Sequence, residues 1–391
     1  MRHLTFRQTV SATWAADATQ RTDLERIGLL TRVDLLVEVT PSATLTAANQ
    51  PDGLNRLIQN VRILGGGAVY VTLPGDDGCQ AGSIIHYLNK IDGLGVGHPD
   101  GAIAAPTRTF TPMKFSFHFG SRPKVPGMPA VDNPYDLSAF IPAGDESQLT
   151  AEWVTSGNDV CDDSVTISSA VGRYTLHRVR GTPGEIQQEM RNQGVVLPAN
   201  QHGQPWSGMV PAWSSSQFAT AATTTDYDAE TDAIPTGAFI RRATLLSQDA
   251  TATRTLRAGD EVTETRIWSS VTNEVLYQQT SENLTGYLYG GDQLTANSGS
   301  LESGGTEKMG VDFNEAAPLG VYPIDFRNKT FWAESVHQYQ VRKDYGWDMR
   351  GFNQNDIRLG HIITTRAAGD DRLILWEKTI PTNVDLAVAA K

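Results

Sequence analysis

Hydrophobic and polar residues alternate with a period of two along much of the chain, the pattern of a strand with one buried face. In MKFSFHF, Met113, Phe115, Phe117 and Phe119 fall on one side, and Lys114, Ser116 and His118 on the other. VDLLVEV aligns Val33, Leu35, Val37 and Val39, and LTAEWV aligns Leu149, Ala151 and Trp153. Comparable runs at 57–64, 68–73, 165–179, 237–246, 261–268, 330–341, 356–365 and 372–380 predict strands in both halves. The spacers PGDDG (74–78), NPYD (133–136), GGD (290–292) and AAGDD (367–371) supply turn chemistry. Many short strands separated in this way predict an all-β sandwich or barrel.

Helical signals are few. Thr182 can cap a helix with Pro183 at its first position and Glu185 three residues after the cap; Ile186 and Met190 follow on one face, and Gly194 stands beyond the end. A shorter box pairs Thr22 with Glu25, followed by Ile27 and Leu30. The helix at 182–195 lies between two strand-rich halves and marks a domain junction. After it, GVVLPANQHGQPWSGMVPAW and a Ser/Ala/Thr segment at 214–225 read as long loop, as does the Gly-rich stretch at 290–310. The glycines at 65–67 separate two apolar runs and read as a hairpin turn. They lie in neither GxxxxGK[ST] nor GxGxxG, the patterns of phosphate-cradling loops.

Length and charge narrow the class. With 391 residues, 39% hydrophobic and 19% charged, the chain has a globular composition and room for two or three domains. A formal charge of −12 disfavours wrapping nucleic acid, which needs clustered Lys and Arg to release counterions. The densest basic groups are the pairs Arg241-Arg242 and Arg342-Lys343. The opening residues lack the apolar run of a secretory signal, and no window is apolar enough for a transmembrane helix.

Candidate chemistry is sparse. Cys79 and Cys161 have no CxxC partner, so a single bridge or two buried thiols remain, and no thiol metal site. Asp226, Asp228, Glu230 and Asp232 alternate like calcium ligands, but Thr231 stands where an EF-hand needs Gly and Gly237 where it needs Glu. His3, His86, His98, His118, His177, His202, His337 and His361 form no closely spaced ligand pair. His118 and His177 lie in predicted strands that could meet in space. No GxSxG nucleophile elbow occurs. Glu152, Glu264 and Glu334 are the carboxylates to weigh for glycoside hydrolysis. Trp153, Trp268, Trp332, Trp347 and Trp376 either stack on sugars or fill cores. The sequons at Asn283 and Asn328 carry meaning only on a secretory route. No catalytic, cofactor-binding or metal residue is assigned, and the chain is not read as an enzyme.

The order of segments resembles a known family. TRVDLLVEVTPSATLTAANQPDGLNRLIQNVRILGGG, the mid-chain helix, and GVYPIDFRNKTF near the end are together similar to the double jelly-roll major capsid proteins of tailless, membrane-containing icosahedral bacteriophages. The resemblance implies two antiparallel jelly-roll β-sandwiches in one chain with few short helices. It places an N-terminal arm at 1–30, a first jelly roll at 31–181, a linker helix at 182–195 and a second jelly roll with long loops at 196–391. It further implies a homotrimer that tiles a virion shell beside neighbouring capsomers and minor capsid proteins. Arg2, Phe6, Arg7, Trp14, Arg21 and Arg26 suit an arm touching a neighbour or an internal anionic membrane. The loops at 200–235 and 290–315 would lock trimers or form towers. No direct genome binding and no cofactor are expected. A carbohydrate-binding or carbohydrate-active β-sandwich is the alternative from another class, and a minor capsid or spike protein a third.

Overall fold

Four sheets account for the strands of the computed structural model, and they pair into two sandwiches. The structure describes residues 1–12, 18–41, 58–73, 81–82, 85, 88–89, 111–120, 133–155, 167–195, 207–219, 227–249, 256–257, 262–280, 321–326, 341–342, 346–363 and 371–383.

The first sandwich uses β1 (Arg2–Ala12), β2 (Thr19–Asp23), β3 (Leu29–Pro41), β4 (Ile58–Gly65), β5 (Val69–Leu73), β6 (Thr111–His118), β7 (Leu149–Thr155) and β8 (Ile167–Arg180). One sheet has the order β1-β8-β3-β6 and the other β2-β7-β4-β5, all antiparallel. First and last strands are therefore neighbours, and successive strands alternate between sheets except at the β4–β5 hairpin, which is the jelly-roll topology. The alternation read from sequence faces inward: Val33, Leu35, Val37, Phe115, Phe117, Ala151 and Trp153 are buried in one core.

The second sandwich repeats the plan. It contains β9 (Ser207–Pro211), β10 (Ser214–Ala219), β11 (Tyr227–Ala233), β12 (Phe239–Asp249), β13 (Leu256–Arg257), β14 (Val262–Ser269), β15 (Val275–Thr280), β16 (Val321–Asp325), β17 (Val341–Arg342), β18 (Gly346–Asp348), β19 (Ile357–Ile363) and β20 (Asp371–Asn383). One sheet runs β10-β20-β12 with β16 and β18 both paired to β12, and the other runs β11-β19-β14-β15. Trp347, Trp376, Ile267 and Leu359 lie in its core. The chain between β8 and β9 includes α1 (Pro183–Asn192), with the expected capping box: Glu185 Oε2 accepts from Thr182 N at 2.9 Å while Thr182 Oγ1 accepts from Glu185 N. Its buried residues, Ile186 and Met190, pack on Leu29, Leu137, Phe140 and Val179 at one end of the first sandwich.

The two sandwiches match in detail. In each, the third-placed long strand carries one extra residue against its neighbour, Thr31 in β3 and Arg241 in β12. In each, that residue's carbonyl accepts from a phenylalanine amide, Phe119 at 3.2 Å and Phe326 at 3.1 Å. The hairpins β4–β5 and β14–β15 are also bulged alike, with Leu64 opposite Val69 and Trp268 opposite Val275. The glycines at 65–67 make the first of these turns: Gly65 N donates to Ala68 O, and Gly66 N to the Glu146 carboxylate.

Several expectations change. Residues 2–12 and 19–23 are sheet strands rather than parts of an arm, because β1 pairs with β8 along its whole length, Arg2 opposite Arg180 to Ala12 opposite Ala170. The Thr22/Glu25 box forms no helix: Thr22 sits in β2, Leu24 N donates to Leu149 O, and Glu25 binds Arg178 at 2.7 Å. The stretch expected as loop at 214–225 begins with β10, whose serines bond along β20. The loop expected at 200–235 likewise holds β9, β10 and β11. The strand expected at 330–341 and the loop at 290–315 lie almost wholly outside the described residues.

Gly346 has φ of +90°, and a Cβ there would collide with the carbonyl of Ile240. Gly346→Ala is expected to lower the unfolding free energy by about 2 kcal/mol through strain and strand displacement, read from the urea midpoint.

Candidate functional site

Where the sandwiches meet, β12 holds two consecutive arginines. Ile240 lies opposite Lys378 and Arg242 opposite Glu377, so Arg241 is the inserted residue and both arginines confront one glutamate. Arg242 Nη2 donates to Glu377 Oε1 at 3.0 Å and its Nε to Oε2, while Arg241 Nη2 reaches Oε1 at 3.3 Å. All three side chains are 0–1% exposed. Arg241 Nη1 then crosses to the first sandwich, donating to the carbonyls of His118, Phe119 and Gly120 at the end of β6. The bulge thus turns a basic pair of β12 into a connector between domains.

The remainder of the joint is apolar. The register of β9 and β10 on β20 is continuous, Pro211 opposite Thr379 and Ser214 opposite Trp376, which leaves Trp213 beside Glu377. Trp213 N donates to Tyr70 O at 2.9 Å and Thr72 N to Trp213 O at 3.1 Å, a parallel bridge onto the edge of β5. The indole lies 6.5 Å from the Phe117 ring and 6.3 Å from that of Phe119, with the Arg241 guanidinium 5.5 Å from it. Val210, Leu246 and Leu375 of the second sandwich join the first sandwich's core. The outward face of the second β12/β20 sheet is therefore buried on the β5/β6 edge of the first.

The corresponding outward face of the first sandwich is polar. Arg32, which matches Arg242, lies between His118 and His177, where Arg242 lies between Asp325 and Glu377. Asp34 joins this row: Arg32 Nε donates to its Oδ1 at 2.6 Å, and His177 Nε2 lies 3.0 Å from its Oδ2. Burial pushes the Asp34 carboxyl up, but the bonds from His177, Arg32 and Ser116 outweigh it and hold the pKa at about 2. Tyr135 covers the lower end, stacked on His3 and with its hydroxyl 2.9 Å from Thr5 Oγ1. His118 and His177 thus flank the same arginine on opposite neighbours of β3.

The other candidates separate. Glu152 lies on β7 near Arg21, and Glu264 on β14 accepts from Gln278, in different sandwiches. Trp153, Trp347 and Trp376 are core residues, and Trp268 is half-buried beside the Arg266 guanidinium. His361 is buried next to Thr265 Oγ1. Asp228, Glu230 and Asp232 belong to strand β11 rather than to a calcium loop, and Asp226 lies outside the described residues. So do Cys79, Cys161, His86, His98, His202, His337, Glu334, Trp332, Asn283, Asn328 and Lys343. Among the described residues no group of three or more His, Cys, Asp or Glu could hold a metal ion. In the sequence Arg241-Arg242 stands out only as one of the two densest basic pairs. The signal it lacked was Glu377, a lone carboxylate inside the apolar run RLILWEKTI.

No family model matches the chain, and no curated protein matches it in sequence. Solved structures do. The STIV MCP is 13% identical with a TM-score of 0.62, over 97% of this chain and 98% of that one. A chain in the atomic structure of Sulfolobus Turreted Icosahedral Virus is 12% identical with a TM-score of 0.62, over 99% and 96%. PBCV-1 VP54, fitted into a reconstruction of the virophage Sputnik, is 10% identical with a TM-score of 0.52, over 97% and 94%. These are double jelly-roll capsid proteins, and the described residues have their fold.

Two predictions follow from this geometry. Glu377→Gln removes the negative charge that faces two buried guanidinium groups and is expected to cost about 3–5 kcal/mol in urea unfolding, whereas the pair Arg242→Met with Glu377→Leu costs less than Glu377→Gln alone. Asp34 has a folded pKa of about 2 against an ordinary 3.8, so its contribution is complete above about pH 4 and is lost as pH falls through 2. Asp34→Asn should remove about 2 kcal/mol of that acid sensitivity in unfolding measured from pH 5 to pH 2.

Proposed function

We propose that the chain is the major capsid protein of an icosahedral virion, a structural subunit that assembles as homotrimeric capsomers with copies of itself. The observation that carries this reading is the buried joint. It locks two jelly rolls side by side, with β5 and Trp213 running parallel, so both rolls stand in the same direction as one rigid block. A shell tile requires that rigidity, because any hinge between its halves would be multiplied over every contact in the shell. The likeness to capsid proteins over nearly the whole chain supports the same role.

Neither working part of the carbohydrate alternative gains support. Three of the weighed tryptophans fill cores, and the two described glutamates belong to different sandwiches. Contacts with minor capsid proteins belong to this proposal, whereas membrane contact through an arm at 1–30 loses its basis once β1 and β2 are sheet strands. The acidic balance of 44 Asp and Glu against 32 Lys and Arg fits a subunit that does not itself hold a genome.

Light scattering of the purified protein is expected to give about three chains per particle, and quantitative composition of source virions to make it the most abundant protein. A monomer at all concentrations, together with saturable binding on a glycan array, would overturn the reading.

A further inference from the structure

One margin of the first roll is bounded by the edge strands β1 and β2, which face each other, since Gln8 Nε2 donates to Asp23 O at 2.7 Å. Residues directly opposite in an antiparallel pair point to the same face, and the register of β1 on β8 is unbroken. Tyr174 and Leu176 of β8 point into the core. Phe6 opposite Leu176, Arg178 opposite Leu4, and Arg180 opposite Arg2 therefore share that inward direction. The apolar face of this strand pair thus gives way, in its last two rows, to three arginines.

Arg178 is the buried one, its side chain 2% exposed. Its Nη1 donates to Glu25 Oε2 at 2.7 Å, whereas Nε and Nη2 are buried with no hydrogen-bond partner. Those two N–H groups point the same way, as the side-on fork that grips two oxygens of one anion. Donors left bare in an interior cost stability, so the fork is built for an acceptor. Burial lowers the Arg178 pKa by more than Glu25 raises it, so one carboxylate under-compensates the charge. Arg2 is the diagonal neighbour of Arg178, a spacing that long side chains span. It is exposed and forms no ion pair among the described residues. The Phe6 ring lies 5.6 Å from the Arg178 guanidinium and, although it points inward, is 40% exposed. The sandwich is therefore open to solvent beside the ring that covers the arginine.

We infer that the Arg178 fork is the seat of a free phosphate-class oxyanion, held side-on by Nε and Nη2, reached from a third oxygen by Arg2, and admitted when the Phe6 ring turns aside. Glu25 keeps its place on Nη1, clear of the fork. A tetrahedral ion fits better than a carboxylate, which spends both its oxygens on the fork and has none for Arg2. The depth of the fork, inside the sandwich behind an edge strand, selects a small free ion over a phosphate fixed in a lipid surface. Once bound, the ion ties β1 through Arg2 to β8 through Arg178 and lessens the repulsion between Arg2 and Arg180.

The full-length protein in inorganic phosphate is expected to melt about 4 °C higher than in sodium chloride of equal ionic strength, and to bind phosphate saturably by calorimetry. Arg178→Lys keeps the charge without the fork and is expected to weaken phosphate binding about tenfold or more. Arg2→Gln, at the exposed end, is expected to weaken it about threefold and, lying outside the core, carries the test if Arg178→Lys fails to fold. Arg173→Gln, on the outward face of β8, is the control that binds as the wild type does. Absence of saturable binding at about 10 mM phosphate overturns the inference. So does wild-type affinity in Arg178→Lys or in Arg2→Gln. Retention on phosphatidic acid vesicles without binding of free phosphate overturns it as well.

Discussion

One buried arginine, Arg241, ties the two halves of this molecule together, and a carboxylate of its own roll holds it in place. Glu377 accepts from both Arg242 and Arg241, and only because Arg241 is an inserted residue do two consecutive side chains reach the same partner. Arg241 then donates from Nη1 to three carbonyls at the end of β6, bonds that a hydrophobic side chain could not make. Ion clusters of this kind add little net stability, because desolvation offsets most of the attraction. Their effect is on specificity: the bonds among the three lie within the second roll, and a different seating of the rolls would break those that Arg241 Nη1 makes to the carbonyls of His118, Phe119 and Gly120. The surrounding apolar contacts of Trp213, Leu246 and Leu375 supply the affinity, and Arg241 selects the geometry.

Strands buried on one face were legible in the sequence, and those at the margins were not. MKFSFHF, VDLLVEV and LTAEWV alternate cleanly because each lies inside a sheet with a core on one side, and all three are strands where expected. The helix was legible for a local reason: its capping box satisfies its own first amides whatever the tertiary structure. β1, β2 and β10 escaped notice because edge strands carry polar residues on both faces. RHLTFRQTVSA and SSSQFA show little alternation, and only their pairing with β8 and β20 makes them strands. The joint was illegible for a different reason. Register brings Arg242 and Glu377 together from positions far apart in the chain, and a bulge cannot be counted from composition.

The repeated architecture also separates what a fold requires from what a particular roll is used for. The bulge at Thr31 and Arg241 and the amide bonds from Phe119 and Phe326 recur in both sandwiches, so they belong to the jelly roll as a backbone solution. Side chains at matched positions diverge: Arg32 sits between two histidines, and Arg242 between two carboxylates. The same frame thus supports a permanently buried face in one copy and a half-exposed, titratable one in the other.

The pairing of first and last strands has an evolutionary consequence. Arg2 stands opposite Arg180 and Ser207 opposite Asn383, so each roll begins and ends at neighbouring points of one sheet. A unit with adjacent ends can be copied in tandem, inserted or circularly permuted without rerouting the chain through its interior. Between Arg180 and Ser207 the chain needs only α1 and its flanks to pass from one roll to the next. A tandem duplication of such a unit yields a two-roll chain in one step, with Arg241 of the second roll bonding across to the first.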